Sequence, residues 1–264
     1  MRAGLCGVSG RMGTAILRVL VERGHTALAA FDAPSAPCMG KDVGSLLHGE
    51  NTGVLVSAIN EADAARVDGL IDFSAPAATM QLLSLAQGLG KPLVVGTTGF
   101  SNEQRRRFEE AARSIPLLVS PNMSVGVNLL FRLTETAARV LGDDFDVEVF
   151  EAHHRFKKDA PSGTAKRLIE VVKGSSGHLT AAGEAYDRSG IIGGRTSGEI
   201  GVQVLRGGDI VGEHTVYFAG IGERVELTHR ATSRDNFARG AVRALEYIAG
   251  RKPGLYSMFD VLGI

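Results

Sequence analysis

The sequence predicts an α/β fold in two parts, a first sheet of mainly parallel strands and a second α+β part built on a mixed sheet. Short apolar runs alternate with helical patterns from Ala3 to about Ser120, which is typical of successive β-α-β units. After Asn122 the pattern changes to strands separated by glycine turns, as in a mixed sheet with one covered face. Glycine makes up 34 of the 264 residues, about twice its usual share of roughly 7%, so many tight turns are expected.

The first part contains five predicted strands and two well-marked helices. A helix with an apolar stripe begins near Met12 and ends at Gly24, since glycine commonly terminates helices. A later helix begins with Ser101 and Gln104, whose side chains can form a capping box. The strands are predicted at Ala3–Cys6, Ala27–Phe31, Leu70–Phe73, Leu93–Gly96 and Leu117–Ser120.

The second part contains a predicted helix around Val127–Leu141 and several strands. Apolar residues alternate with others along one strand that begins at Ile200 and another that contains Val225. The glycine- and serine-rich stretch Gly174–Gly198 is predicted to be a long loop or lid. A final amphipathic helix is predicted at about 234–249.

Charge, cysteine content and hydropathy exclude several classes of function. Lysine plus arginine and aspartate plus glutamate number 29 each, so no global positive field favours nucleic acid or an anionic membrane. Cys6 and Cys38 lack the spacing of a disulfide framework or a zinc site. Neither a signal-peptide pattern nor an apolar run of roughly 18 residues is present. We therefore expect a cytoplasmic protein with a small-molecule ligand.

A glycine-rich loop, Gly7-Val8-Ser9-Gly10-Arg11-Met12-Gly13, lies between the first strand and the first helix. Such glycines let the backbone approach a pyrophosphate at the positive end of a helix. Asp32 follows the second strand, where a carboxylate can accept hydrogen bonds from an adenosine ribose. An ordinary turn and a solvated carboxylate are the alternatives. Taken together, the two features predict a Rossmann-like dinucleotide-binding domain.

Two further loops follow predicted strands of the same sheet. They are Gly96-Thr97-Thr98-Gly99 and Ser120-Pro121-Asn122-Met123. Ligands of such sheets bind outside the carboxyl ends of the strands, so both loops are expected to face the same crevice. Taken alone, each sequence is equally compatible with a plain turn.

Five side chains that can be cationic lie within six positions: His153, His154, Arg155, Lys157 and Lys158. Such a cluster suits an anionic substrate, and Lys157 could also donate a proton. One of the histidines could instead be a structural hydrogen-bond partner, and Lys158 a solvated charge. No metal is expected, because adjacent histidines rarely converge on one ion.

Ser162 follows the cationic cluster and can cap a helix, the apolar face of which would begin at Ala165. The N–H groups of Gly163 and Thr164 would then point outward at the positive helix end, where an anion is favoured. Ser162, Gly163 and Thr164 are therefore predicted to bind a carboxylate of the substrate.

Several motifs, in order along nearly the whole chain, resemble the dihydrodipicolinate reductase family. They are Gly7 to Gly13, Val95 to Phe100, Ser124 to Asn128, Glu151 to His154 with Lys157 to Thr164, and Gly208 to Thr215. The resemblance implies reduction, by NADH or NADPH, of the dehydrated adduct of aspartate semialdehyde and pyruvate to tetrahydrodipicolinate, on the diaminopimelate route to lysine.

The resemblance also implies roles for individual residues. His153 would be a proton donor or acceptor and Lys157 a proton donor, while His154, Gly163 and Thr164 would bind the substrate dicarboxylate. The cofactor contacts would be Gly7, Val8, Ser9, Gly10, Arg11, Met12, Asp32, Gly96, Thr97, Thr98, Ser120, Pro121, Asn122 and Met123.

Domain limits and assembly follow from the same resemblance. Residues 1–124 and 234–264 would form the dinucleotide-binding domain, and residues 125–233 the substrate-binding and oligomerisation domain of a homotetramer. Family members that use NADPH often have arginine directly after the ribose-binding acid, but this chain has Ala33 after Asp32. A carboxylate repels an uncompensated phosphate, so NADH preference is expected unless Arg11 reaches that phosphate.

Two rival functions remain open from the sequence. One is a different amino- or imino-acid dehydrogenase on the same scaffold, against which the intact segment from His153 to Thr164 counts. The other is a non-catalytic nicotinamide sensor, in which the cationic side chains would be dispensable and turnover absent.

Overall fold

The computed structural model describes residues 1–175 and 183–264, and these form two compact units. The first unit comprises Met1–Val125 and Arg234–Ile264, and the second comprises Gly126–Ser233. The second unit is therefore an insertion in the sequence of the first.

The strands of the described residues are numbered β1 to β12 in chain order. They are β1 Arg2–Cys6, β2 Thr26–Phe31, β3 Val56–Ser57, β4 Gly69–Asp72, β5 Leu93–Val95, β6 Pro116–Val119, β7 Asp146–His153, β8 Glu184–Ala185, β9 Ile200–Arg206, β10 Gly212–Ala219, β11 Arg224–Ala231 and β12 Gly254–Tyr256.

The α-helices of the same residues are numbered α1 to α8. They are α1 Arg11–Glu22, α2 Glu61–Ala65, α3 Pro76–Leu89, α4 Asn102–Ala111, α5 Val125–Leu141, α6 Gly163–Ser175, α7 Asp235–Ile248 and α8 Met258–Leu262. These residues also include short 3₁₀ helices at Val43–Leu47 and Gly142–Asp144.

The described part of the first unit contains a seven-stranded sheet in the order β12-β6-β5-β4-β1-β2-β3. All of its neighbouring strands are parallel. The sheet therefore has the parallel, Rossmann-like arrangement that the sequence predicts. All five predicted strands are present to within a residue or two. Strands β3 and β12 were not predicted, because two or three residues are too few to show a periodicity.

Apolar side chains cover both faces of this sheet. Successive residues of a strand point to opposite faces, and on β5 Val94 packs with α1 and α7 while Leu93 and Val95 pack with α3 and α4. The strands are consequently buried from both sides, as parallel sheets usually are.

Local signals set the ends of two helices as predicted. The Ser101 hydroxyl accepts from the Gln104 amide, and the Gln104 side chain accepts from the Ser101 amide, which completes the capping box of α4. Helix α1 ends at Glu22, and Gly24 follows with a positive φ of 72°, a conformation that glycine adopts without strain.

The described part of the second unit contains a five-stranded mixed sheet in the order β11-β10-β7-β9-β8. Strands β11, β10 and β7 are antiparallel, whereas β7, β9 and β8 are parallel. Helix α6 packs against β7 and β10, and its buried residues are Ala165, Leu168, Ile169 and Val172. The mixed sheet and the apolar face of α6 are both confirmed.

The predicted loop Gly174–Gly198 is partly wrong. Helix α6 continues through Ser175, and β8 pairs in parallel with β9, while residues 176–182 lie outside the described part. Residues 186–199 form neither helix nor strand. Arg188 and Arg195 anchor them through ion pairs to Glu148 and Glu199. A two-residue edge strand leaves no pattern that would separate it from a loop.

No helix in residues 1–175 or 183–264 has both the length and the apolar character needed to cross a bilayer.

Two glycine-to-alanine substitutions should change stability in opposite directions. Gly240 lies in α7, where a Cβ would overlap the Met123 carbonyl oxygen, so Gly240→Ala should lower the free energy of unfolding by about 1–3 kcal/mol. Gly88 lies exposed in α3 with nothing within 4 Å of a new Cβ, so Gly88→Ala should raise it by about 0.4–1 kcal/mol. Urea unfolding of both variants checks this, and a stabilised Gly240→Ala would contradict the packing described.

Candidate functional site

The glycine loop of the first unit is held close to the start of α1. The amides of Gly7 and Val8 donate to the Phe31 carbonyl at 2.9 and 3.2 Å, and the Gly10 amide donates to the Gly7 carbonyl at 3.1 Å. Gly7 has a φ of 81°, and a Cβ on Gly13 would overlap the Gly7 carbonyl oxygen. The loop and the helix can therefore approach this closely only with glycine at both positions.

Asp32 lies directly after β2 and contacts the glycine loop. Its Oδ2 accepts from the Ser9 amide and its Oδ1 from the Ala33 amide, both at 2.8 Å. Gly7, Ser9, Gly10 and Asp32 line one cavity of about 530 Å³. The structure thus brings the predicted phosphate loop and the predicted ribose acid together.

The other residues of the glycine loop differ in exposure. The Val8 side chain is completely buried and Met12 packs partly into the core, whereas Arg11 is exposed. Val8 can consequently offer a ligand only its backbone, while Arg11 can offer its guanidinium.

A buried carboxylate, Asp72, organises the loops after β4 and β5. It accepts hydrogen bonds from the hydroxyls of Ser74, Thr79 and Thr97, the last two at 2.6 and 2.7 Å. Burial raises the pKa of Asp72, and these hydroxyls partly oppose that shift. Asp72 was not predicted from the sequence, where its only signal is that an acidic residue ends an otherwise apolar strand.

Thr97 uses its hydroxyl within the protein. The group donates to Asp72 and accepts from the Ser74 amide at 2.9 Å, so its one hydrogen is already bonded. Gly96 precedes it, and a Cβ there would overlap the Phe73 ring. Thr98 is exposed. This loop can therefore meet a ligand through its backbone and through Thr98.

The segment after β6 is a turn stabilised by its own side chains. The Ser120 hydroxyl donates to the Asn122 carbonyl at 2.8 Å, and the Asn122 side-chain oxygen accepts from the Ser124 amide at 2.9 Å. The Met123 side chain is buried. The segments 96–98 and 120–123 follow the carboxyl ends of β5 and β6, as the glycine loop follows that of β1. Among the described residues, neither segment lines the cavity of the glycine loop.

In the second unit, polar groups converge on the buried carboxylate of Glu151 in β7. Its Oε2 lies 2.5 Å from His153 Nδ1 and accepts from Arg206 Nη1 at 2.9 Å. Its Oε1 accepts from Arg206 Nη2 at 2.8 Å and from the Ser162 amide at 2.9 Å. Burial alone raises the pKa of Glu151, but the hydrogen bonds from His153, Arg206 and Ser162 outweigh it and lower the pKa to about 2.

His214 on β10 extends this cluster. Its Nε2 lies 3.0 Å from the Ser162 hydroxyl, and its ring meets that of His153 edge to face with 5.2 Å between the centroids. Burial, followed by the nearby charge of His153, lowers the pKa of His214 to about 3. The side chain is therefore neutral near pH 7.

The start of α6 is arranged as predicted. The Ser162 hydroxyl accepts from the Ala165 amide at 3.2 Å and caps the helix. Ser162 itself is buried, whereas Gly163 is exposed with open space around its Cα. Since Ser162 bonds within the protein, it supports this helix end, and Gly163 and Thr164 form the surface that a ligand can reach.

Lys157 and His154 lie in the turn that follows β7. The Lys157 ammonium pairs with the Asp159 carboxylate at 2.9 and 3.0 Å and is only one-fifth exposed. This ammonium also lowers the pKa of Asp159. The Nδ1 atom of His154 is buried, and no described residue bonds to it. Lys158 is exposed.

Sequence reasoning therefore missed Asp72, Arg206 and His214 as parts of these clusters. A lone histidine or arginine on a strand is more often structural. Only the pairing of β7 with β9 and β10 brings Arg206 onto the Glu151 carboxylate and His214 onto Ser162. In the described residues, no group of three or more histidine, cysteine and acidic side chains is arranged to hold a metal ion.

Two family models match the chain in succession. The model for the dihydrodipicolinate reductase N-terminus matches residues 1–123, and the model for its C-terminus matches residues 126–262. A protein of Anaeromyxobacter dehalogenans named 4-hydroxy-tetrahydrodipicolinate reductase is 49% identical over 98% of this chain and 96% of its own length. One of Aromatoleum aromaticum with the same name is 48% identical over 100% of this chain and 96% of its own length.

Solved structures show where the fold recurs. The dipicolinate-bound dihydrodipicolinate reductase of Paenisporosarcina sp. TG-14 has a TM-score of 0.76 at 20% identity, covering 98% of both chains. An amine dehydrogenase of Mycobacterium smegmatis has a TM-score of 0.60 at 13% identity, covering 98% of this chain and 95% of that one. Different activities thus share this fold, and the fold alone does not select one.

As the pH falls, His214 should begin to lower the free energy of unfolding at a higher pH than Glu151 does. The pKa of His214 is about 3 when folded against 6.5 ordinarily, so between those values the unfolded chain binds the extra proton. Stability from this group is complete above pH 6.5 and falls by up to about 1.4 kcal/mol per pH unit as the pH drops toward 3. The Glu151 contribution is present above pH 4.5 and is lost toward pH 2. Urea unfolding from pH 7 to 4.5 should give a shallower slope for His214→Gln than for the wild type; equal slopes would contradict this assignment.

Proposed function

The chain belongs to the dihydrodipicolinate reductase family, and we propose that the cavity beside Gly7 binds its dinucleotide and that the cluster around Glu151 binds its substrate. The protein is an NAD(P)H-dependent oxidoreductase that reduces 4-hydroxy-tetrahydrodipicolinate, through the dehydrated form dihydrodipicolinate, to tetrahydrodipicolinate. This step belongs to the diaminopimelate route of lysine biosynthesis.

The observation that carries the site assignment is the hydrogen bonding of Glu151. One buried carboxylate holds His153, a potential acid, and also the amide of Ser162 at the start of α6. A group proposed to transfer a proton and a helix end proposed to bind an anion are thereby held by the two oxygens of one carboxylate. That is what reduction of a dicarboxylate followed by protonation requires.

The first unit fits a nicotinamide dinucleotide. A Cβ on Gly13 would overlap the carbonyl oxygens of Gly7 and Val8, and a Cβ on Gly7 would overlap the Phe73 carbonyl. The first amides of α1 have no acceptor within the helix. When bound, the cofactor supplies a hydride from its nicotinamide ring. We assign its binding to the glycine loop from Gly7 to Met12, to Asp32 for the ribose, and to the backbones of 96–98 and 120–123.

We assign the substrate carboxylates to the positive end of α6 and to the nearby cations. The amides of Gly163 and Thr164 precede the first hydrogen-bonded turn and favour an anion, and His154 and Lys157 follow β7 in the adjacent turn. Lys157 must exchange its ion pair with Asp159 for one with the substrate. His153 and Lys157 are the acids that we propose for protonating the enamine left by reduction.

NADH preference and a homotetramer are further parts of the proposal. Asp32 is followed by Ala33, which carries no charge to neutralise a 2′-phosphate. Strands β11 and β8 are the edges of the second sheet among the described residues, and unpaired edges are available for association. Both features support these assignments.

The assigned reaction is tested by comparing Lys157→Ala with Lys158→Ala. Dihydrodipicolinate synthase supplies substrate in a coupled assay that follows NADH absorbance. Lys157 is largely buried beside the cluster and Lys158 is exposed, so Lys157→Ala should lower kcat by about 100-fold or more while Lys158→Ala stays near the wild type. NADH binding, measured by fluorescence titration, should persist in both.

Equal turnover in the two lysine variants would overturn the role of Lys157. No synthase-dependent NADH oxidation by the wild type would instead overturn the assigned reaction and favour the binding-protein alternative.

The cofactor preference is tested with Ala33→Arg. The wild type should have the higher kcat/KM with NADH, and an arginine beside the ribose acid should move the ratio at least about tenfold toward NADPH by neutralising the 2′-phosphate. Initial rates with both cofactors measure the ratio. A wild type that prefers NADPH would show that Arg11 or another cation already serves this purpose.

A further inference from the structure

We propose that Glu151 is a positioning residue that fixes the tautomer of His153, with Arg206 as the counter-ion that keeps this carboxylate charged. The inference rests on the acid role proposed for His153. In its neutral form His153 would carry its hydrogen on Nδ1 and present an unprotonated Nε2. In its cationic form the proton on Nε2 would be the one delivered to the substrate.

The hydrogen bonds around Glu151 determine this tautomer. An ionised carboxylate can only accept, and its two oxygens face four donor positions: His153 Nδ1, two Arg206 nitrogens and the Ser162 amide. Since Nδ1 lies 2.5 Å from Oε2, it must carry a hydrogen. A neutral imidazole has only one N–H, so Nε2 is left as the acceptor.

The Nε2 side of the ring lies against a glycine. A Cβ on Gly212 would be 3.1 Å from His153 Nε2, closer than ordinary van der Waals contact. The absence of a side chain at Gly212 therefore leaves room beside the nitrogen that would exchange the proton. The His153 side chain is 12% exposed.

Arg206 makes the buried charge tolerable. Its two terminal nitrogens bind both Glu151 oxygens, and Nη2 also donates to the Asp159 carbonyl at 2.8 Å. A buried carboxylate without such partners would take up a proton. The protonated acid would then have a hydrogen of its own to donate, and His153 would no longer be held in one tautomer.

The titratable groups in or next to the Glu151 cluster come from the neighbouring strands and from the turn after β7. They are His153 on β7, Arg206 on β9, His214 on β10, and Lys157 and Asp159 in the turn. His214 does not contact the carboxylate directly but reaches the Ser162 hydroxyl. The titratable groups that bond directly to Glu151 are thus His153 and Arg206.

The substitution Glu151→Gln separates tautomer control from support of the fold. An amide has one oxygen and one NH₂ group, and the backbone N–H of Ser162 can only donate. The amide oxygen should therefore face Ser162 and the NH₂ group should face His153. His153 would respond by accepting at Nδ1 and carrying its hydrogen on Nε2, the reverse of the wild-type tautomer.

Histidine ¹⁵N NMR measures the tautomer directly, with the His153 signals assigned from the spectrum of His153→Asn. At a pH where His153 is neutral, the wild type should show a protonated Nδ1, and Glu151→Gln a protonated Nε2. In the coupled assay Glu151→Gln should lose about 100-fold or more in kcat, while NADH binding is retained.

Glu148→Gln is the matched control. Glu148 lies on the same strand and also pairs with arginines, Arg188 and Arg195, so it reproduces the loss of an ion pair without touching His153. In Glu148→Gln, the tautomer of His153 and the kcat should match those of the wild type.

Two results would overturn the proposal. One is a protonated Nε2 in the neutral wild type, a measurement that does not depend on whether Glu151→Gln folds. The other is a folded Glu151→Gln with reversed tautomer and undiminished kcat. Absence of reductase turnover in the wild type would instead refute the proposed reaction, and the NMR result would still decide the tautomer.

Discussion

The second unit is organised by the burial of one negative charge. A carboxylate inside a protein is stable only if its oxygens are fully hydrogen-bonded and its charge is paired. Glu151 meets this condition with donors from β7, β9 and the start of α6. Because all three elements must reach the same two oxygens, the position of His153 relative to Gly163 follows from that requirement and not from the loops that connect them.

Acidic residues at strand ends play a comparable part in the first unit. Asp32 holds the Ser9 amide, and Asp72 gathers three hydroxyls from the loop after β4, from α3 and from the loop after β5. The glycine loop and the loops after β4 and β5 are therefore held in place by hydrogen bonds to carboxylates. This arrangement fixes the loop backbone without a ligand, as the phosphate binding proposed for the glycine loop would require.

The sequence was sufficient for features that depend on near neighbours in the chain. The parallel strands, the capping box of Ser101, the Ser162 cap and the glycine loop all have a local physical cause, and the structure shows each of them. The short strands β3, β8 and β12 were not predicted, because they are defined only by their backbone pairing with other strands. Asp72, Arg206 and His214 were not predicted, because their hydrogen bonds form only when strands distant in the sequence pair and bring buried charges and donors together.

The contact between Asp32 and the Ser9 amide links two tasks that redesign usually treats as separate. If Asp32 binds the ribose as proposed, replacing it to change cofactor selectivity would also remove the acceptor of the Ser9 amide, and binding of the whole nucleotide would weaken as a result. The side chain of Ala33 takes no part in these hydrogen bonds, so a substitution there would leave the loop's own contacts in place.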